Sequence, residues 1–355
     1  MHSVPTAGSA NSRFWMAASI SIGLLAWSGG VGAAGKVYVA NEEADTVTVL
    51  DAASFKTLTT VRVGKMPHNV QVSPDGSRVW VTNNGEPDAA GASPVPQGMA
   101  KGEHAAIAKP GAVWAIDTGS DAVIAKVPVG LHPAHVVQTP DGRFAYVTNG
   151  GDNTVSVIDA SAQRVVATIP VGKFPHGIRF SPDGKQAYVA NMKGGTVSVI
   201  DTASQKEIAQ IPAGKGPAQV GFTPDARLAF VSLSEENAVA VIDPVTRKVL
   251  RKAPVGTVPI QLFATPDSRT LLVANQGSRS NPGKTVSIVD LQTFKVIRTV
   301  ETGSGAHGVA IDQEGRYAYI TNTYADSVSV LDIKDGKLVT TVRVGKGPNG
   351  ISVRP

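Results

Sequence analysis

Cysteine is absent from all 355 residues, so disulfides, thiolate metal sites and cysteine nucleophiles are excluded together. Charge is sparse at 17%, and aromatic residues reach only 5%. Lys and Arg number 33 against 28 Asp and Glu, a basic balance too mild to call for a nucleic-acid partner. No pattern of helical spacing recurs along the chain. The one extended apolar stretch, residues 14–27, holds 14 residues, too few to span a bilayer. Enzyme signatures are scarce as well, with no G-x-S-x-G, H-E-x-x-H or P-loop. "GSGAHG" (303–308) and "GKGPNG" (345–350) match G-x-G-x-x-G, but a strand pattern follows each rather than a helix, so neither is a dinucleotide site. No nucleophile–base pair stands out.

What is plentiful is Gly, at 37, and Pro, at 23, the composition of a turn-rich globular chain. Residues 1–34 read apart from the rest. Arg13 precedes the apolar stretch, and small residues follow, with Gly32 and Ala34 suited to the −3 and −1 cleavage positions. This is the pattern of a secretory signal peptide cut after Ala34, and the released chain is expected to carry no membrane anchor.

Beyond residue 35 the chain repeats one sentence. A loop glycine recurs at Gly64, Gly130, Gly172, Gly214, Gly256, Gly303 and Gly345, spaced by 66, 42, 42, 42, 47 and 42 residues. A "YVTN" line (146–149) and a "VSVID" line (155–159) each recur seven times in step with it. "SPDG" (181–184) supplies a tight turn with Gly at positive φ. Each unit reads as four short β-branched strands, which makes a propeller blade. The expected fold is all-β: a seven-bladed β-propeller over residues 36–355, with four antiparallel strands per blade. Closure is expected from a C-terminal strand, 349–355, pairing beside the N-terminal strands. The Asp that ends every VSVID line, Asp159 and Asp201 among them, serves turns rather than catalysis, because it is used seven times.

These motifs resemble the YVTN-type β-propeller repeat family of exported bacterial and archaeal proteins. "IPVGKFPHGIRFSPDGKQAYVAN" (169–191) carries the resemblance most fully, and it extends over residues 36–355. The resemblance implies an extracytoplasmic propeller, here a periplasmic one, and leaves the activity open.

Function is expected on one face. Both insertions, residues 84–112 and 276–284, fall between the second and third strands of a blade, on the side where the fourth-to-first loops enter the channel. Aligning those loops places His68, His176, His307 and Asn349 at one position, and Asn69 and His135 one residue later. His104 lies in the large insertion. Imidazoles converging on a channel mouth suit Cu or Zn without thiolate help. His68, His176 and His307, with His135, are therefore candidate metal ligands. The same histidines also read as ordinary "P-H-G" wording that packs at a strand entrance. The leading expectation is a binding or scaffold module for a small ligand or a periplasmic protein. A Cu or Zn protein or metalloenzyme is the alternative, and a propeller hydrolase or lyase built on loop His and Glu is a further one.

Overall fold

The computed structural model describes residues 35–85 and 110–354. The expected signal peptide, His104 and most of the large insertion lie outside those residues. The described chain forms seven four-stranded antiparallel sheets, with one short 3-10 turn, Glu42–Ala44, as its only helix. This is the seven-bladed propeller that the repeats call for. Blade one is assembled from both ends of the described chain. The strand Pro348–Arg354 pairs antiparallel with Lys36–Asn41, in a register that sets Val37 against Val353 and Val39 against Ile351. The other six blades follow chain order.

Each line of the repeat has a mechanical reason. The second and third strands of a blade are covered by the neighbouring blades on both faces. They therefore read as unbroken buried runs, as in Gln186–Asn191 and Thr196–Asp201. The large residue of each second strand fills the wedge between blades. Tyr38, Trp80, Tyr146, Tyr188, Phe230 and Tyr319 are all buried there, and each such side chain is worth roughly 1.5–3 kcal/mol in area removed from water. Fourth strands form the rim and alternate exposed with half-buried residues, as in Lys206–Pro212.

The Asn that ends the YVTN line ties the second strand to the third. Asn191 donates from Nδ2 to Thr196 Oγ1 at 3.0 Å and to Ser198 Oγ at 2.8 Å. It also explains the loop glycine, because a Cβ at Gly172 would stand 2.4–2.5 Å from the Asn191 amide. At the VSVID Asp the turn chemistry is direct. Asp159 Oδ1 accepts the Ser161 and Ala162 N–H groups at 2.9 and 2.8 Å, and these hydrogen bonds hold its carboxyl below the usual range.

The smaller insertion adds no free loop. It extends its strand pair into a longer hairpin, Thr270–Gly277 against Pro282–Asp290, with Gly277 opposite Pro282. The larger insertion likewise starts from a lengthened strand, Arg78–Gly85, in which Gly85 pairs with Lys65.

Candidate metal centre

The inner strand of each blade begins with a bulge. Pro175 faces Asn191 and Ile178 faces Val189, so three steps on the inner strand oppose two on its partner. The same irregularity follows Pro67 and Pro133. An extra residue frees an N–H from the ladder, and the Thr of the YVTN line takes it. Thr148 Oγ1 accepts His135 N–H at 3.0 Å and donates to His176 O, in the next blade, at 2.6 Å. Thr82 does the same between Asn69 N–H, at 2.9 Å, and Ala134 O, at 2.8 Å. One hydroxyl thus sets the spacing between adjacent channel positions, and the histidines inherit that spacing.

His68, His135 and His176, from three consecutive blades, each bring a ring nitrogen to within 4.8 Å of the other two. His68 Nε2 and His176 Nε2 are 3.1 Å apart. The ring centroids of His135 lie 4.9 Å from His176 and 5.8 Å from His68. Other contacts orient two of the rings. His176 Nδ1 is 2.9 Å from Ala218 O, so it carries the proton and leaves a lone pair on Nε2. Asn349 Nδ2 stands 3.1 Å from His68 Nδ1 and 2.5 Å from Glu42 Oε2. Glu42 Oε1 is itself 3.5 Å from His68 Nδ1.

His135 is different. It is fully buried, and neither ring nitrogen has a hydrogen-bond partner. A buried imidazole left unpaired is costly and needs an explanation. Burial first, and then the charges of His176 and His68, push His135 well below the ordinary histidine range. Burial followed by the charge of His68 takes His176 down to about 3. These two rings are neutral at physiological pH, the state a metal ligand needs.

The remaining expected positions divide. His307 is buried at the same mouth, its ring centroid 6.2 Å from His68, but it is not one of the three whose nitrogens converge. Asn349 holds His68. Asn69 works between blades, its Oδ1 accepting Val136 N–H at 3.4 Å. His132 lies in the loop before its strand, at φ 51°. Glu42 does not stand out in the sequence, yet its carboxylate is buried beside His68. Its signal was position alone, directly after a YVTN-type Asn in the blade that the chain ends close. Arg179, three residues past His176, also went unmarked.

Comparison with known proteins agrees with the architecture. A family model for the Cytochrome D1 heme domain matches residues 105–235, and one for YNCE-like beta-propellers matches residues 279–354. These matches support a β-propeller family. No curated protein sequence matches the chain. Among solved structures, Kuenenia stuttgartiensis hydrazine synthase is similar at 24% identity and TM-score 0.67, covering 81% of this chain and 89% of that one. The periplasmic gluconolactonase PpgL of Pseudomonas aeruginosa is similar at 19% identity and TM-score 0.70, covering 90% and 99%. The dihydro-heme d1 dehydrogenase NirN, solved in complex with DHE, is similar at 18% identity and TM-score 0.64, covering 89% and 74%. At these identities the likeness is one of fold.

Proposed function

We propose that this protein is an exported propeller of the YVTN type, working in the periplasm, whose channel mouth binds one Cu or Zn ion through His68, His135 and His176. The observation that carries the reading is the convergence of three ring nitrogens within 4.8 Å, two of the rings buried and one of these having no hydrogen-bond partner. The spacing suits an ion, since donors about 2.0–2.1 Å from a metal and 3.1 Å from each other subtend roughly 100°. Three protein donors leave a further position open to water or a ligand. In the ion-free arrangement His68 accepts from Asn349 at Nδ1 and donates from Nε2 to His176. Ligation by Nε2 needs the other tautomer, and Glu42 is placed to receive the Nδ1 proton. Glu42 thereby orients a ligand from behind.

The Cytochrome D1 heme match raises a second reading, a bound tetrapyrrole, and the histidines do not favour it. The His68 and His176 rings touch edge to face at 5.2 Å between centroids, which leaves no gap between them for a macrocycle. This donor set fits a single ion.

Equilibrium dialysis at pH 7.5 tests the proposal. Wild-type protein should bind one Zn or Cu per chain. His135→Gln or His176→Gln should each weaken binding by about 100-fold or more, and Glu42→Gln by about 10–100-fold. His307→Gln should change it little. A wild-type protein that takes up neither metal ends the proposal.

A further inference from the structure

The channel also holds a cation that the metal reading does not use. Arg179 lies on the inner strand Pro175–Phe180, about 10 Å of strand beyond His176. Its neighbours Ile178 and Phe180 pack with Tyr146 of the preceding blade, so strand alternation turns Arg179 the other way. Its charge is felt by His135, one blade back, which agrees with a guanidinium reaching into the channel. Equivalent positions in the other blades carry Gln71, Val137, Gly221, Phe263, Ala310 and Ser352, all uncharged.

Arg179 is poorly matched with acceptors. Its Nη1 donates to Ile178 O at 3.0 Å, and among the described residues it forms no ion pair. Desolvation lowers it to about 10, which leaves it charged at neutral pH. The carboxylate beside His68, that of Glu42, is already engaged by Asn349 and His68. Arg179 is half-buried, and partial burial of a cation without a counter-charge is costly. A divalent ion on neutral imidazoles would add two further positive charges to the same channel, where Glu42 supplies one carboxylate beside His68.

We infer that the channel takes a small oxyanion, held by the Arg179 guanidinium beneath the histidines and balancing the charge of an ion bound there. A carboxylate presents two oxygens to the planar guanidinium fork, and an inorganic oxyanion such as sulfate offers the same charge with tetrahedral shape. The inference deepens the metal reading, but the Arg179 site stands without a metal, so the two are separable.

Zinc affinity measured for wild type, Arg179→Met and Arg179→Gln, first without oxyanions and then with acetate or sulfate, tests the inference. In wild type, added oxyanion should tighten zinc about tenfold. Both variants should bind zinc more tightly than wild type in oxyanion-free buffer, because the repulsion is gone, and should not respond to oxyanion. A response to acetate alone assigns a carboxylate ligand, and an equal response to sulfate assigns an inorganic oxyanion. Identical responses in wild type and variants overturn the site. A metal-free arm uses chelator-treated protein, whose thermal midpoint should rise saturably with the oxyanion only when Arg179 is present. If zinc fails to bind but this rise remains, the metal reading falls and the anion site stands. If the rise is the same with and without Arg179, the anion site falls. Should neither variant fold, the arginine Nε–H resonances of wild type decide: one must shift saturably with acetate or sulfate, and no shift refutes the inference.

Discussion

Three histidines in one small polar cluster behave as neutral, buried groups, and this has a cost in acid. Burial leads the causes that hold His135 and His307 well below the ordinary range, and it takes His176 to about 3. In the unfolded chain the same residues protonate near pH 6.5. Below that pH the unfolded state therefore binds protons that the folded state refuses. The stability these groups contribute is complete above about 6.5 and is lost as pH falls toward their folded values. For metal-free protein, the urea midpoint should decline steadily from pH 6.5 to 4.5, a window above the titration of the lowered turn aspartates such as Asp159 and Asp201. His176→Asn should flatten the decline, and a wild-type profile already flat across this window would contradict the assignment. From the sequence, uptake by imidazole ligands is expected to fade below roughly pH 6, where the rings are protonated. The buried setting lowers that limit for His135 and His176. The positions of the histidines were legible in the sequence, but their desolvation was not, because it comes from neighbouring blades.

The blade shows where a repeat can be read and where it misleads. Strand order, the Asp-capped turns and the Asn–Gly contact all follow from a few residues in one unit, so the alternating lines of the sequence reveal them directly. Glycine in the "SPDG" turn is a case in point. Gly76, Gly142 and Gly184 stand at φ 69°, 72° and 70°, but the fifth blade puts Ala226 at the same place, at φ 61°. A side chain in the left-handed region costs about 1–2 kcal/mol, and glycine gives back part of that through a freer unfolded chain. Ala226→Gly should therefore raise stability by about 1 kcal/mol in urea unfolding. Gly184→Ala should lower it, since its new Cβ also meets Pro140 at 3.1 Å. Opposite signs at the two positions are required, and a loss at Ala226 would discount the backbone argument. The bulge after each loop proline is the less legible feature. A simple count along the repeat groups His68, His176 and His307 by position, spread around the axis. The extra residue lets His135, one place later, stand beside His68 and His176, while His307 stays outside the converging set.

At the scale of the molecule, closure of the ring and assembly of the site are the same event. The strand Pro348–Arg354 belongs to blade one, yet it is held on both sides. Thr321 and Thr323 of blade seven donate to Asn349 O and Pro348 O at 2.7 and 2.8 Å. Ser352 Oγ accepts the Val72 N–H of blade two at 3.1 Å. Ile351 packs with Val37, Val39 and Tyr319 across the seam. The same strand carries Asn349, which joins Glu42, from the other end of the described chain, to His68. Deleting residues 346–355 should therefore do two kinds of damage. Blade one loses its inner strand, which exposes the edge of Lys36–Asn41 and unseats its neighbours, so the protein should become insoluble or readily proteolysed. The milder change Asn349→Ala keeps the strand and its backbone pairing while removing the Nδ2 donor that positions the Glu42 carboxylate beside His68. It should leave the fold protease-resistant and the melting temperature within a few degrees of wild type, and weaken metal uptake to the degree that Glu42→Gln does. Limited proteolysis and equilibrium dialysis on the two proteins separate these effects. A truncated chain that melts like the intact one would show that the ring does not depend on this seam.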